Sequence, residues 1–145
     1  KKQRNFYSGK KKRHSIKTQL IVDKQTEEII CTKSSNGKRH DFRIYKESNV
    51  HIHPKTKVIT DTGYIGLKKI HANVLMPKKR SKHKPLTMND KIKNREISSK
   101  RVLNENVIGI IKRFKIVSDR YRNRRKRFGL RFNLISGLYN FALKN

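Results

Sequence analysis

The chain has 145 residues, of which 39 are Lys or Arg and 10 are Asp or Glu, so its formal charge is +29. Only 33% of the residues are hydrophobic, which predicts a lean core, and no apolar run approaches the roughly 20 residues of a membrane span. A charge of this size repels itself in the compact state and calls for a polyanionic partner, of which nucleic acid is the natural one.

A membrane surface would need amphipathic helices with exposed large apolar residues; Trp is absent, and no such helix stands out. Cys31 is the only cysteine, so no internal disulfide forms and a reducing compartment is expected. That compartment is the cytoplasm, in association with the nucleoid if the source is bacterial. The opening Lys1-Lys2-Gln3 has no methionine, which predicts the later part of a longer protein.

In chain order, residues 1–14 form a basic lead-in, with Lys10, Lys11, Lys12 and Arg13 as phosphate contacts. Ser15 to Val22 alternates imperfectly, placing Ile16, Leu20 and Val22 against Lys17, Thr18 and Gln19, and predicts a strand. Asp23-Lys24-Gln25-Thr26 reads as a turn and Glu28 to Thr32 as the antiparallel return strand. Asn36-Gly37 marks a further turn. His40-Asp41 starts a short helix, with Asp41 at or beside its N-cap.

His51-Ile52-His53-Pro54 is an irregular link, its His-x-His lacking a third nearby ligand. A short β-branched strand, Val58-Ile59, then leads to Asp61-Thr62-Gly63-Tyr64. Tyr64 to Ile70 predicts a short helix, and Val74-Leu75-Met76-Pro77 a last strand stopped by proline. Lys78 to Pro85 is a dense basic loop, with Lys78, Lys79, Arg80 and Lys82 as candidate DNA contacts.

Thr87-Met88-Asn89-Asp90 has capping-box spacing, with Asp in place of the usual Glu, and predicts a helix to about Ile97. Ser98 or Ser99 is expected to cap a second helix through about Ile116. Its apolar face is Leu103, Val107, Ile110, Ile111 and Phe114, and Arg101 and Lys112 are further candidate DNA contacts. Residues 118–127 form a basic connector containing Arg122, Arg124 and Arg125. Residues 128–143 predict a terminal helix, with Phe128, Phe132, Ile135, Leu138, Tyr139 and Ala142 packed into the core.

The chemistry rests on two acids. Asp61 follows a short strand, and ligands of open α/β sheets gather beyond the carboxyl ends of strands. Glu105 lies inside an otherwise apolar, helix-periodic segment, where burial is costly unless the carboxylate ligates something. Two carboxylates about 4 Å apart repel by about 4 kcal/mol at an effective dielectric near 20. A site that gathers them must hold a proton or a cation, and hard oxygen ligands select Mg2+ or Mn2+. A two-ion site of that kind suits in-line displacement at a phosphodiester. Gly109, one turn past Glu105, is expected to allow close approach of the helix to the sheet or to DNA.

Five ordered stretches sharpen this reading. They are Tyr7-Ser8-Gly9-Lys10-Lys11-Lys12-Arg13-His14-Ser15-Ile16-Lys17-Thr18 and His40-Asp41-Phe42-Arg43-Ile44-Tyr45, followed by Asp61-Thr62-Gly63-Tyr64. Then come Asn94-Arg95-Glu96-Ile97-Ser98-Ser99-Lys100-Arg101 and Glu105-Asn106-Val107-Ile108-Gly109-Ile110-Ile111-Lys112-Arg113-Phe114. Together they resemble the DDE-superfamily transposases, in the Harbinger-like insertion-sequence branch, over nearly the whole chain.

The resemblance implies an α/β, RNase H-like mixed sheet with flanking helices, as one partial catalytic domain over residues 1–145. It implies metal-dependent cleavage and joining of transposon-end DNA, with a target DNA and a possible homo-oligomer as partners. Asp61 would be the second catalytic acid and Glu105 the third, with Glu96 as the alternative third acid. The family's first aspartate lies on a central strand upstream of Tyr7-Ser8, so the fold is expected to be incomplete and the chain inactive alone. Asp41 is the nearest stand-in. The rival reading is a basic, non-catalytic nucleic-acid binder of ribosomal-protein type.

Overall fold

A computed structural model describes residues 6–9, 12–81, 83–119 and 125–145. It has a mixed α/β architecture divided into two compact units, Lys1–Val50 with Asn104–Asn145, and His51–Leu103.

In the first unit, β1 (Tyr7–Ser8) and β2 (Arg13–His14) form a minimal antiparallel pair. The main sheet is the hairpin of β3 (Ile16–Val22) and β4 (Ile29–Asn36), in register from Ile16 opposite Asn36 to Ile21 opposite Cys31. An irregularity after Ile21 brings Val22 opposite Ile29. The turn forms where the sequence predicts it, because Asp23 Oδ1 accepts the N–H groups of Gln25 and Thr26 at 2.7 and 2.9 Å. These two bonds hold the Asp23 carboxyl below its ordinary pKa.

The imperfect alternation of β3 has a structural cause: both faces of the hairpin are covered. Ile16, Leu20 and Val22 pack against the apolar core to which helix α4 (Phe128–Ala142) contributes. On the other face lies α1 (Asp41–Ser48), where Lys17 Nζ meets Asp41 Oδ1 at 3.1 Å and Gln19, only 5% exposed, reaches Ser48. A polar residue on that face is therefore buried and hydrogen-bonded rather than solvated. Helix α1 ends at Asn49, whose left-handed conformation (φ 52°) closes it.

The core of this unit joins Ile29 to Val107, Ile111, Phe128, Phe132, Ile135 and Tyr139. Burying each such side chain stabilises the fold by roughly 1.5–3 kcal/mol. Helix α4 is tied to β4 by polar bonds as well. The Asn140 carboxamide accepts the Ile29 N–H at 2.8 Å and donates to the Ile29 carbonyl at 2.9 Å. The Thr32 hydroxyl donates to the Asn133 side chain.

The terminal helix corrects two expectations. Leu138 is 50% exposed and Ala142 lies at the surface, so neither joins the core. A single helix presents one stripe to one sheet, and Phe128, Phe132, Ile135 and Tyr139 fill it.

In the second unit, β5 (Val58–Ile59) and β6 (Val74–Leu75) form where the two short apolar runs predict strands, and the structure pairs them in parallel. The Thr60 N–H extends the pairing to the Leu75 carbonyl at 3.0 Å. Between the strands, Thr62–Lys69 forms a 3₁₀ helix that buries Leu67. His71 is buried beneath it, with Nε2 2.8 Å from the Thr56 carbonyl. The Pro77–Pro85 loop follows, carrying a small bridge between Ser81 and Lys84.

Helix α2 is continuous over Met88–Ile111, where the sequence predicts two helices with a cap at Ser98 or Ser99. Ser99 instead turns its hydroxyl back to the Arg95 carbonyl, 3.2 Å away within the helix. This back-bonding satisfies the serine without interrupting the helical ladder. The helix stops at Ile111, and a separate turn, α3 (Lys115–Ser118), carries the chain onward. The predicted start is borne out: Thr87 Oγ1 accepts the Asp90 N–H at 3.2 Å and Asp90 Oδ2 accepts the Thr87 N–H at 3.1 Å.

Candidate active site

Asp61 lies two residues beyond β5, at the carboxyl end of the parallel β5/β6 pair. Its backbone is extended, and its Oδ1 accepts the Gly63 N–H at 2.9 Å, capping the 3₁₀ helix. The turn reading of Asp-x-Gly and the positioning of a carboxylate are thus one structure. Capping fixes the carboxylate at the strand end through Oδ1.

Glu105 lies on α2 and is exposed. The burial cost used to single it out therefore does not apply. The helix turns Val107 and Ile111 inward, each at most 2% exposed, while Ile110 and Phe114 are 38% and 42% exposed. Gly109 is exposed as well, and a Cβ placed on it meets nothing within 4 Å, so it does not serve close packing against the sheet. Glu96, the alternative acid, is also exposed on α2. Asp61 belongs to the second compact unit and Glu105 to the first.

One signal escaped the sequence reading. Thr60 Oγ1 and Asn104 Oδ1, each in the residue preceding a candidate acid, are buried without a hydrogen-bond partner among the described residues. Buried polar atoms left unpaired cost roughly 1–3 kcal/mol, and each asks for an explanation. Nothing in a Thr or an Asn announces this in sequence, because burial depends on distant neighbours.

Asp41, the stand-in acid, is engaged by Lys17. His53 Nδ1 accepts the Lys55 N–H at 3.3 Å, the role of an ordinary loop histidine. Among the described residues no three His, Cys, Asp or Glu side chains gather into a metal-binding group. The donor chemistry of Asp61 and Glu105 themselves, carboxylate oxygen, fits a hard divalent ion.

Of the basic candidates, Lys12, Arg13, Lys79, Arg80 and Lys112 are exposed, and Arg101 is half-buried on α2. Lys78 has a different situation: its ammonium lies 2.6 Å from Asp90 Oδ2. That bond, together with the Thr87 N–H, holds the Asp90 carboxyl below its ordinary pKa. Lys10, Lys11, Lys82, Arg122 and Arg124, and the side chain of Arg125, lie outside the described residues. Among the described residues no helix is long and apolar enough to cross a membrane.

The structure thus holds an aspartate at a strand end and a glutamate on a long helix, in a strongly basic chain. Residues 1–140 match the family described as DDE superfamily endonuclease, and the chain belongs to that family. It is similar to a protein of Microchaete diplosiphon described as "Probable transposase for insertion sequence element IS702", with 46% identity over 143 residues. The match covers 99% of this chain and 52% of the relative, so the chain spans about half the length of the curated relative it matches. No solved structure matches it.

Proposed function

We propose that this chain is part of a DNA transposase catalytic domain of RNase H-like fold, acting on transposon ends. Its Asp61 and Glu105 are two of the acids of a divalent-metal site. The observation that carries the reading is the placement of Asp61, held by Gly63 at the carboxyl end of a parallel strand pair in a chain of this family. The unpartnered Thr60 and Asn104 atoms beside the two acids support it.

In this reading Asp61 presents a carboxylate from a strand end, and Glu105 presents one from the solvent-facing side of α2. Mg2+ or Mn2+, when bound, supplies activation of the attacking oxygen and stabilisation of the leaving oxygen. Lys12, Arg13, Lys79, Arg80, Arg101 and Lys112 hold the DNA backbone through phosphate contacts. Lys10, Lys11, Lys82, Arg122, Arg124 and Arg125 belong to the same proposed set. In this reading the first acid of the site is supplied by another segment of the transposase, the chain alone does not cleave, and a homo-oligomer assembles on the transposon ends.

The test is complementation. The chain is joined to the part of the Microchaete relative that it does not cover and assayed on duplexes carrying the transposon end. Nicking that requires Mg2+ and is absent with the chain alone is the expected result. No nicking by the joined protein at cognate ends removes the enzymatic assignment and leaves a cationic binder.

A further inference from the structure

The basic loop between Pro77 and Pro85 is held at its root by side chains of α2, and nothing in its own composition predicts this. The Asn94 carboxamide brackets the Lys78 main chain, accepting its N–H through Oδ1 at 2.8 Å and donating through Nδ2 to its carbonyl at 3.0 Å. Asp90, already fixed by Thr87, takes the Lys78 ammonium at 2.6 Å. Further out, the Ser81 and Lys84 main chains bond each other in both directions at 3.3 Å, and Ser81 Oγ accepts the Lys84 N–H at 3.2 Å.

The described part of the loop is thus pinned at Lys78 and between Ser81 and Lys84, and its cations Lys79, Arg80 and Lys84 are exposed. Like charges on a short segment repel and extend it, so holding them together is unfavourable until an anion arrives. Lys78 is the exception, since its charge is spent on Asp90. Its part is to anchor the loop rather than to meet a ligand.

We propose that Asn94 is a positioning residue for DNA binding. Its carboxamide holds the Pro77–Pro85 loop so that Lys79, Arg80 and Lys84 together grip the phosphate backbone. The inference rests on the DNA-binding part of the reading above, not on the cleavage chemistry. Pre-organising a loop raises affinity by removing the ordering cost of binding. Replacing Asn94 therefore weakens binding without removing any charge.

The experiment is a double-mutant cycle on the intact chain, with a short random-sequence DNA duplex titrated over a range of NaCl concentrations. The variants are Asn94→Ala, the triple substitution Lys79→Ala, Arg80→Ala, Lys84→Ala, and both combined. Each phosphate contact adds about −0.9 to the slope of log affinity against log salt, so the triple variant should flatten the slope by up to about 3 units. Asn94→Ala, which favours the helix by propensity, should flatten it by about 1 unit or more, and should change nothing in the triple background. A triple variant with an unaltered slope overturns the proposal, as does an Asn94→Ala effect that is absent or equal in both backgrounds. Loss of cleavage in the complementation assay with this cycle intact would overturn the enzyme and leave the loop assignment standing.

Discussion

Asn140 and Ile29, 111 positions apart, are joined by two hydrogen bonds between one carboxamide and the N–H and carbonyl of a single residue, at 2.8 and 2.9 Å. The same bracket recurs between Asn94 and Lys78, 16 positions apart. In both cases a helix uses an amide side chain to satisfy the main chain of a neighbouring extended segment. The surroundings differ: Ile29 is 7% exposed, whereas Lys78 is at the surface.

Asn140→Ala should therefore destabilise the first unit. It leaves the N–H and carbonyl of a buried residue without their partner, at about 1–3 kcal/mol. Asn140→Asp, which keeps the acceptor and loses the donor, should fall between. Urea unfolding followed by circular dichroism reads both, and an Asn140→Ala midpoint equal to that of the parent would show that water replaces the bracket freely.

Gly37 sits where the chain turns back over Ser15. Its N–H donates to the Ser15 carbonyl at 2.9 Å, and a Cβ added there would lie 2.8 Å from that same oxygen and collide with Ser15 Oγ. Gly37→Ala is expected to cost about 1–3 kcal/mol, the range for overpacking. Ser15→Ala in the same chain should recover only part of it, since the carbonyl clash remains. Full recovery would assign the cost to the hydroxyl alone.

The two acids should separate chemistry from stability. Asn caps as well as Asp, so Asp61→Asn keeps the Gly63 bond and should leave Tm and the salt slope of DNA binding unchanged. In the complemented protein it should abolish metal-dependent nicking. Glu105→Gln should do the same, while Glu96→Gln should nick normally. Both glutamates are exposed on α2, so neither change should exceed about 0.5 kcal/mol in stability. Normal nicking by Glu105→Gln with loss in Glu96→Gln would move the third acid nine positions earlier on the helix.

Asp90 makes the start of α2 acid-sensitive. Its carboxyl is held below its ordinary value of 3.8 by Lys78 and by the Thr87 N–H. A depressed folded-state pKa contributes stability above the unfolded value and loses it as pH falls from there through the folded value. The helix start and the loop anchor should therefore loosen together below about pH 3.8. An NMR titration of the Asp90 carboxyl, with amide exchange at Lys78 and Thr87, follows both. In Asp90→Asn the coupled loosening should vanish.

Much of the local structure was legible in the residues. Asp23 builds its turn, Thr87 and Asp90 cap α2, and Val58-Ile59 and Val74-Leu75 are strands; each depends on neighbours a few positions away. The family, too, was written in short ordered stretches. The break expected at Ser98-Ser99 failed because a serine can bond back into a helix as readily as it can cap one, and the choice is made by what continues on either side.

By itself the sequence determined the turns, the caps, the strand runs, the charge and the family motifs, because these are set by local sterics, short hydrogen bonds and composition. Only the tertiary structure decided that Glu105 faces solvent and that Leu138 lies outside the core. It also decided that Gln19 is buried, that Asp90 takes up the charge of Lys78, and that Asn94 and Asn140 bracket distant peptides. Burial and long-range hydrogen bonds depend on which surface arrives opposite a side chain, and that surface comes from another part of the chain.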